Sequence, residues 1–290
     1  MTLDLKMQTI YIYCDGGFGN RYNSLIGGLQ LAHWTGRAPK IIWNTNNWCG
    51  AAFDALFDSE LPIVDFDNSN FFQQDLTYII HENQFKLNGF YRHPDSFTQS
   101  QIIDFVKNAV NDIFYCHNSL AKFVNNEDII KTVLPMIPFN TSLMLLANEI
   151  VAEHGDEYVG VHLRKTDFCP TFDETIIRDA IVDNPTVKFF ICSDDQETEN
   201  FYKRYHNVFL HNKSHYVEKL IDGNWNSHIV DQLGNSFPFN VNRSQQSVLD
   251  AVVDLLLLSR SSILSTDMRS RFLQIAFLLQ DSKWWLQHDK

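Results

Sequence analysis

The feature that most constrains this 290-residue chain is a double alternation, in which short apolar runs of strand length recur between segments of helix length. Thr9-Ile10-Tyr11-Ile12-Tyr13-Cys14 reads as a buried strand, Asp15-Gly16-Gly17-Phe18-Gly19 permits a tight turn, and a helix follows over about 20–36. Residues 39–43 and 62–66 supply two more strands, and 76–81 a fourth. Strands alternating with helices point to a parallel α/β sheet.

The middle of the chain, 99–117 and 141–154, is helical in period, with a polar, proline-bearing stretch at 125–140 between the two helices. A domain boundary is therefore expected near 140, giving an N-terminal domain 1–140 and a C-terminal domain 141–290. A second alternating series follows: strand 158–163, helix 173–182, strand 187–192, helix 196–205. Residues 211–243 carry much Asn, Ser, His and Gly with little period, and read as a long loop near a site or a mobile flap. Helix 244–260, strand 262–265 and helix 269–280 complete a second Rossmann-like half.

Composition excludes several classes of partner. A net charge of -12, with no Lys/Arg cluster to oppose it, repels a long polyanion, so no nucleic-acid partner is expected. A small anion differs, because one arginine and a few backbone N–H groups hold a diphosphate even in an acidic protein. Apolar runs such as 251–258 stop short of the roughly 20 residues of a membrane span, so no transmembrane helix is expected. The start Met1-Thr2-Leu3-Asp4-Leu5-Lys6 lacks the pattern of a signal peptide, which makes a cytoplasmic location the expectation. Lys283-Trp284-Trp285-Leu286 reads as a C-terminal helix packed over the domain junction, with peripheral membrane contact as the alternative. The five cysteines form no CxxC pair and read as reduced, mostly buried thiols.

The chemistry-bearing residues gather at strand ends. In Gly160-Val161-His162-Leu163-Arg164-Lys165-Thr166-Asp167, His162 and Arg164 project to one face at the carboxyl end of a strand, the edge where open parallel sheets bind ligands. Arg164 there can grip a diphosphate bidentately; taken alone, the same triplet reads as an arginine ion-paired to Asp167 beside a core histidine. Asp194 and Asp195 follow another strand, where helix capping accounts for one of them. From 250 to 276 a helix, a short strand and a Ser/Arg-rich helix start succeed one another, and that start is a natural phosphate cradle.

Three other readings compete. Gly17-Phe18-Gly19-Asn20-Arg21-Tyr22 suggests a dinucleotide fingerprint and an NAD(P)-dependent oxidoreductase, but Tyr22 replaces the third glycine and no acidic residue follows Trp43-Asn44. A P-loop would need a Gly-Lys-Ser/Thr that the loop lacks. Asp65-Phe66-Asp67 is a literal DxD, the metal signature of the GT-A glycosyltransferases, but it leaves His162 and Arg164 unexplained. No metal and no resident cofactor are expected.

Taken together, these pieces resemble the α1,6-fucosyltransferases, the family of the N-glycan core enzymes and the nodulation fucosyltransferases, with protein O-fucosyltransferases more distant. His162-Leu163-Arg164-Lys165-Thr166-Asp167 is similar to the family's His-Val-Arg-Arg-Thr-Asp, Ser193-Asp194-Asp195 to its second motif, and Val253-Asp254-Leu255 through Ser270 to its third. Gly17-Phe18-Gly19-Asn20-Arg21 with Trp34-Thr35-Gly36-Arg37 resembles the nodulation enzymes in particular, whereas 60–150 and 205–243 match nothing in the family. The resemblance implies a GT-B fold, two Rossmann-like domains facing a cleft, and metal-free inverting transfer of fucose from GDP-fucose, the donor substrate. The implied acceptor is an N-acetylglucosamine-containing oligosaccharide or glycoconjugate.

The resemblance also implies roles. Arg164 would hold the diphosphate, His162 and Asp254 the guanine end, and Ser270 with the neighbouring Arg271 and Phe272 the β-phosphate. Asp194 and Asp195 would line the nucleotide pocket, and the turn Gly17, Phe18, Gly19, Asn20, Arg21 would close over diphosphate and fucose. The family's catalytic-base glutamate falls on Phe172, leaving Asp173 and Glu174 as adjacent substitutes. With that position apolar, a non-catalytic glycan- or nucleotide-binding protein of the same fold is a further alternative.

Overall fold

The computed structural model describes residues 8–65, 78–81, 84–87, 90–92, 98–116, 126–167, 173–227, 229–230, 236–237, 239–264 and 270–283. The chain divides into two compact units, Met1–Asn44 with Phe57–Pro138, and Thr45–Leu56 with Phe139–Lys290. A single cut at 140 leaves out the return of 45–56 to the C-terminal unit. That return is anchored by backbone bonds from Gly50 N to Arg243 O (2.8 Å) and from Asn140 N to Leu56 O (2.8 Å).

In the first unit, β1 (Thr9–Tyr13) lies between β2 (Ala38–Ile42) and β6 (Ile113–Cys116), in the order β2-β1-β6-β3-β4-β5. The first four are parallel, while β4 (Gln84–Leu87) and β5 (Phe90–Arg92) fold back antiparallel beyond β3 (Tyr78–His81). Ile10 and Ile12 are fully buried on one face of β1, as the period of a strand covered by a helix requires. The covering helix is α1 (Phe18–Thr35), which starts two residues before the expected 20 and ends at Gly36 in the left-handed conformation (φ 68°). Gly28 lets α1 approach: a Cβ there would stand 2.6 Å from Ile12 Cγ2.

Two expectations change in this unit. The segment 99–117 is a helix, α3 (Gln99–Asn108), followed by strand β6 in the middle of the sheet. Asn111-Asp112 breaks the helical period, and Asp112 Oδ1 accepts a bond from Thr9 N (2.8 Å), which pins β6 beside β1. The strand expected at 62–66 is reduced to one parallel bridge between Ile63 and Ile41, and its last residue, Phe66, lies outside the described residues. Buried Arg37 donates to the carbonyls of Val106 (3.0 Å) and Asn111 (2.8 Å) and so fixes the α3–β6 turn.

In the second unit β12 (Ser262–Ile263), β7 (Val159–Leu163), β8 (Phe189–Ser193) and β9 (Val208–Phe209) form an all-parallel sheet in that order. Val161 and Leu163 of β7 bury themselves with Ile177 and Ile181 of α5 (Thr175–Asp183) and Tyr202 of α6 (Gln196–Tyr202). α7 (Gln245–Arg260) is capped by Ser244 and is buried over most of its length, because α4 (Thr141–His154), α8 (Arg271–Ser282) and the sheet all pack on it. The short α2 (Phe53–Leu56) also rests against α7. Within 211–243 the regular structure is one small hairpin, β10 (Ile229–Val230) with β11 (Ser236–Phe237), among the described residues.

Cys14, Cys49 and Cys192 are buried free thiols and Cys116 is a half-buried one, whereas Cys169 lies outside the described residues. Among the described residues no helix is long and apolar enough to cross a membrane. Trp284 and Trp285 lie outside them.

Candidate functional site

The carboxyl ends of β7 and β8 carry His162, Arg164, Asp194 and Asp195. Alternation along β7 sends Val161 and Leu163 toward α5 and α6 and leaves His162 on the opposite face, where its ring packs, tilted, with its centre 4.9 Å from that of Phe272 in α8. Burial, then the nearby Arg164 and Lys213 cations, lower the His162 pKa to about 3, so the ring is neutral at physiological pH.

Past the end of β7, Arg164 grips Asp167: Nη2 lies 2.7 Å from Oδ1 and 2.9 Å from Oδ2, and Nε 3.2 Å from Oδ1. A second guanidinium, Arg243 Nη2, reaches the same Oδ1 at 2.9 Å. Burial alone would raise the Asp167 carboxyl, but Arg243 and Arg164 outweigh it and bring it down to about 2. The intervening turn hangs on Asp194, whose oxygens accept from Lys165 N (2.7 Å) and Thr166 Oγ1 (2.5 Å). Asp195 caps α6, accepting from Thr198 N (2.8 Å) and Thr198 Oγ1 (2.6 Å). Capping thus explains Asp195, and turn formation explains Asp194.

Asp173 is exposed, and hydrogen bonds from Thr175 hold its carboxyl below the usual range. Glu174 binds Lys165 Nζ through Oε1 and accepts from Tyr202 Oη through Oε2 (3.0 Å). It borders a groove of about 440 Å³ between α5 and α6, shared with Arg178, Asp195, Glu197, Thr198, Phe201 and Tyr202. Phe172 lies outside the described residues.

Asp254, expected at the guanine end, is a buried ion-pair partner: Oδ2 meets Lys213 Nζ at 2.6 Å and Oδ1 meets His211 Nδ1 at 3.3 Å, with 5% of the side chain exposed. Lys213 Nζ also donates to Glu199 Oε1 (2.5 Å) and to Ser193 O (2.6 Å), and Tyr216 Oη donates to Glu199 Oε2 (2.6 Å). Burial would lower the Lys213 pKa, but Asp254 and Glu199 drive it well above the ordinary lysine range. Glu199 itself is raised, by burial first. One helical turn earlier, Asp250 Oδ2 accepts from Ser214 N and His215 N, both at 3.1 Å. The start of the 211–243 segment is therefore tied down by buried charge. The pairing of Lys213, His211 and Arg243 with these carboxylates was not legible, because a segment without period shows no inward face.

Ser270 caps α8 through a 3.4 Å bond from Leu273 N, and Arg271 Nη1 donates to Gln274 Oε1 (3.1 Å). In the first unit Gly17 is the residue before α1, Phe18 stacks on Tyr22 (5.7 Å), and Gly19, Asn20 and Arg21 occupy the first turn. Arg21 is fully buried there: Nε donates to Gly16 O (2.7 Å), Nη1 to Asn44 O (2.6 Å), and the guanidinium lies 5.2 Å from the Trp43 ring centre. Among the described residues no group of three or more His, Cys, Asp or Glu side chains could hold a metal ion. Asp67 of the DxD triplet lies outside them.

No protein-family model and no curated protein sequence matches the chain. Solved structures do. A NodZ α1,6-fucosyltransferase co-crystallised with GDP aligns with TM-score 0.58 at 18% identity, covering 94% of this chain and 93% of that one. The fucosyltransferase NodZ from Bradyrhizobium aligns with TM-score 0.55 at 18% identity over 94% of each chain. A mutant of Arabidopsis thaliana FUT1 in complex with GDP aligns with TM-score 0.52 at 14% identity, covering 97% of this chain and 70% of that one. The protein therefore has the mixed α/β GT-B fold of these fucosyltransferases.

Proposed function

We propose that this protein is an inverting glycosyltransferase that transfers fucose from GDP-fucose to a glycan acceptor, an N-acetylglucosamine-containing oligosaccharide. The observation that carries this reading is Arg164, held as a fork at the carboxyl end of β7 by buried Asp167 and still 30% exposed. The fold likeness supports it, since one NodZ α1,6-fucosyltransferase structure was soaked with GDP-fucose.

The residues divide the work as follows. When the bond from fucose to the diphosphate breaks, negative charge grows on the β-phosphate, and a preorganised guanidinium binds that state more strongly than the intact donor. Ser270 and the first N–H groups of α8 add dipoles of the same sign. Neutral His162, packed against Phe272, stands at the nucleoside end and acts as no acid. Asp194 and Asp195 hold the turn and helix that shape the nucleotide pocket. Of the two base candidates, Asp173 is the weaker because Thr175 holds its carboxyl low. We assign the acceptor proton to Glu174, which borders the α5–α6 groove.

Incubation with labelled GDP-fucose and a panel of N-acetylglucosamine-bearing oligosaccharides tests this reading. Labelled glycan and stoichiometric GDP are the expected products. Binding of NAD(H) without binding of GDP would replace the reading with the oxidoreductase, and GDP binding without any product would leave a nucleotide-binding protein.

A further inference from the structure

The cation next to Arg164 in sequence, Lys165, is engaged by Glu174. The cation next to Arg164 in space is Arg243, and its chemistry is unbalanced. A guanidinium carries five N–H donors in a fixed fork. Among the described residues the Arg243 side chain uses one atom, Nη2, on Asp167 Oδ1, while 14% of it is exposed. Asp167 is shared with Arg164, whose Nε also lies 4.0 Å from Asp194 Oδ2, so the charges at the sheet edge are matched while most of the Arg243 donors stay unused among the described residues.

Arg243 also sits on a rigid mount. Its N donates to Asn47 O (2.9 Å) and its O accepts from Gly50 N (2.8 Å). A Cβ on Gly50 would stand 2.6 Å from that carbonyl oxygen, so this close backbone pairing requires the glycine. The 46–49 turn below is closed by Asn46 Oδ1, which accepts from Trp48 N (3.0 Å). On the other side Ser244 caps α7 through a bond from Ser247 N (3.2 Å). A tie to Asp167 alone would need only a lysine; a fork held this firmly with donors to spare suits a second polydentate anion.

We propose that Arg243 is a second diphosphate-binding arginine, directed by Asp167 beside Arg164, so that the two guanidiniums grip the diphosphate of the donor together. This rests on the reading that the β7 edge takes a nucleoside-diphosphate sugar. The two arginines divide the charge of the diphosphate between them, and Asp167 keeps the two forks from repelling each other apart when no anion is bound.

Calorimetric titration of the full chain with GDP and with inorganic pyrophosphate, for wild type, Arg243→Lys and Arg243→Gln, tests the proposal alongside thermal unfolding. Arg243→Gln is expected to weaken both anions by tenfold or more, with Arg243→Lys recovering only part of the loss. With GDP-fucose as donor, KM should rise and kcat should fall, since the same fork meets the leaving group. If both variants bind pyrophosphate like wild type and only the melting temperature drops, Arg243 is a structural tie and the proposal is overturned. If wild type binds pyrophosphate in an Arg243-dependent way but not GDP, the nucleotide-donor reading fails while the two-arginine anion site stands. Failure of wild type to bind either anion sinks both.

Discussion

The Lys213 ammonium and the Asp254 carboxylate face each other across 2.6 Å, each with 5% of its side chain exposed. Because Glu199 shares the same ammonium, removing Lys213 would leave two carboxylates buried without their cation. Lys213→Ala is therefore expected to destabilise the protein by about 3–5 kcal/mol, read from urea unfolding. An unchanged midpoint would show that water reaches the cluster and that the pairing is weak.

Asp254→Asn separates a fold role from a base-reading role. A carboxylate that recognised guanine would show a larger loss for GDP than for ADP, whereas the observed pairing with Lys213 and His211 predicts equal changes for both nucleotides together with lower stability. Titration of each nucleotide against the variant decides the matter.

Arg164→Lys keeps the charge but removes the fork that Asp167 now orients. Turnover is expected to fall by about a hundredfold or more, the scale on which a single preorganised donor acts. The melting temperature should move little, because the side chain is 30% exposed. Near-normal turnover in a destabilised variant would reduce Arg164 to an ion-pair partner of Asp167.

Acid should weaken the fold in two windows of opposite chemistry. The Asp167 carboxyl is depressed from 3.8 to about 2, so its contribution is fully present above pH 3.8 and is lost as pH falls toward 2. The shift corresponds to about 2 kcal/mol, and Asp167→Asn should remove that slope from stability measured against pH. His162 is depressed from 6.5 to about 3, so the unfolded chain takes up this proton first and stability declines from pH 6.5 downward. His162→Phe should flatten the upper window, and a profile identical to wild type would mean that the ring is hydrated in the fold.

Chelation tests the source of positive charge at the diphosphate. With guanidiniums supplying it, EDTA should leave fucose transfer nearly unchanged. Loss of turnover that Mn²⁺ restores would favour the Asp65-Phe66-Asp67 reading instead.

Local period made the strand–turn–helix units legible, since residues that pair or pack within β1–α1 and β7–α5–β8 are close in sequence and write their faces into it. The same holds for the cap at Asp195, which binds an N–H group only three residues ahead. The place of His162 and Arg164 at the end of β7 was legible because a strand's alternation and its end are written in adjacent residues. Tertiary structure alone decided that Ile113–Cys116 is the strand between β1 and β3, that Thr45–Leu56 returns to the second unit, and that Arg243 and Lys213 meet Asp167 and Asp254. Each of these joins segments far apart in the chain, and a buried charge reveals its partner only when both have been taken out of water into the same place.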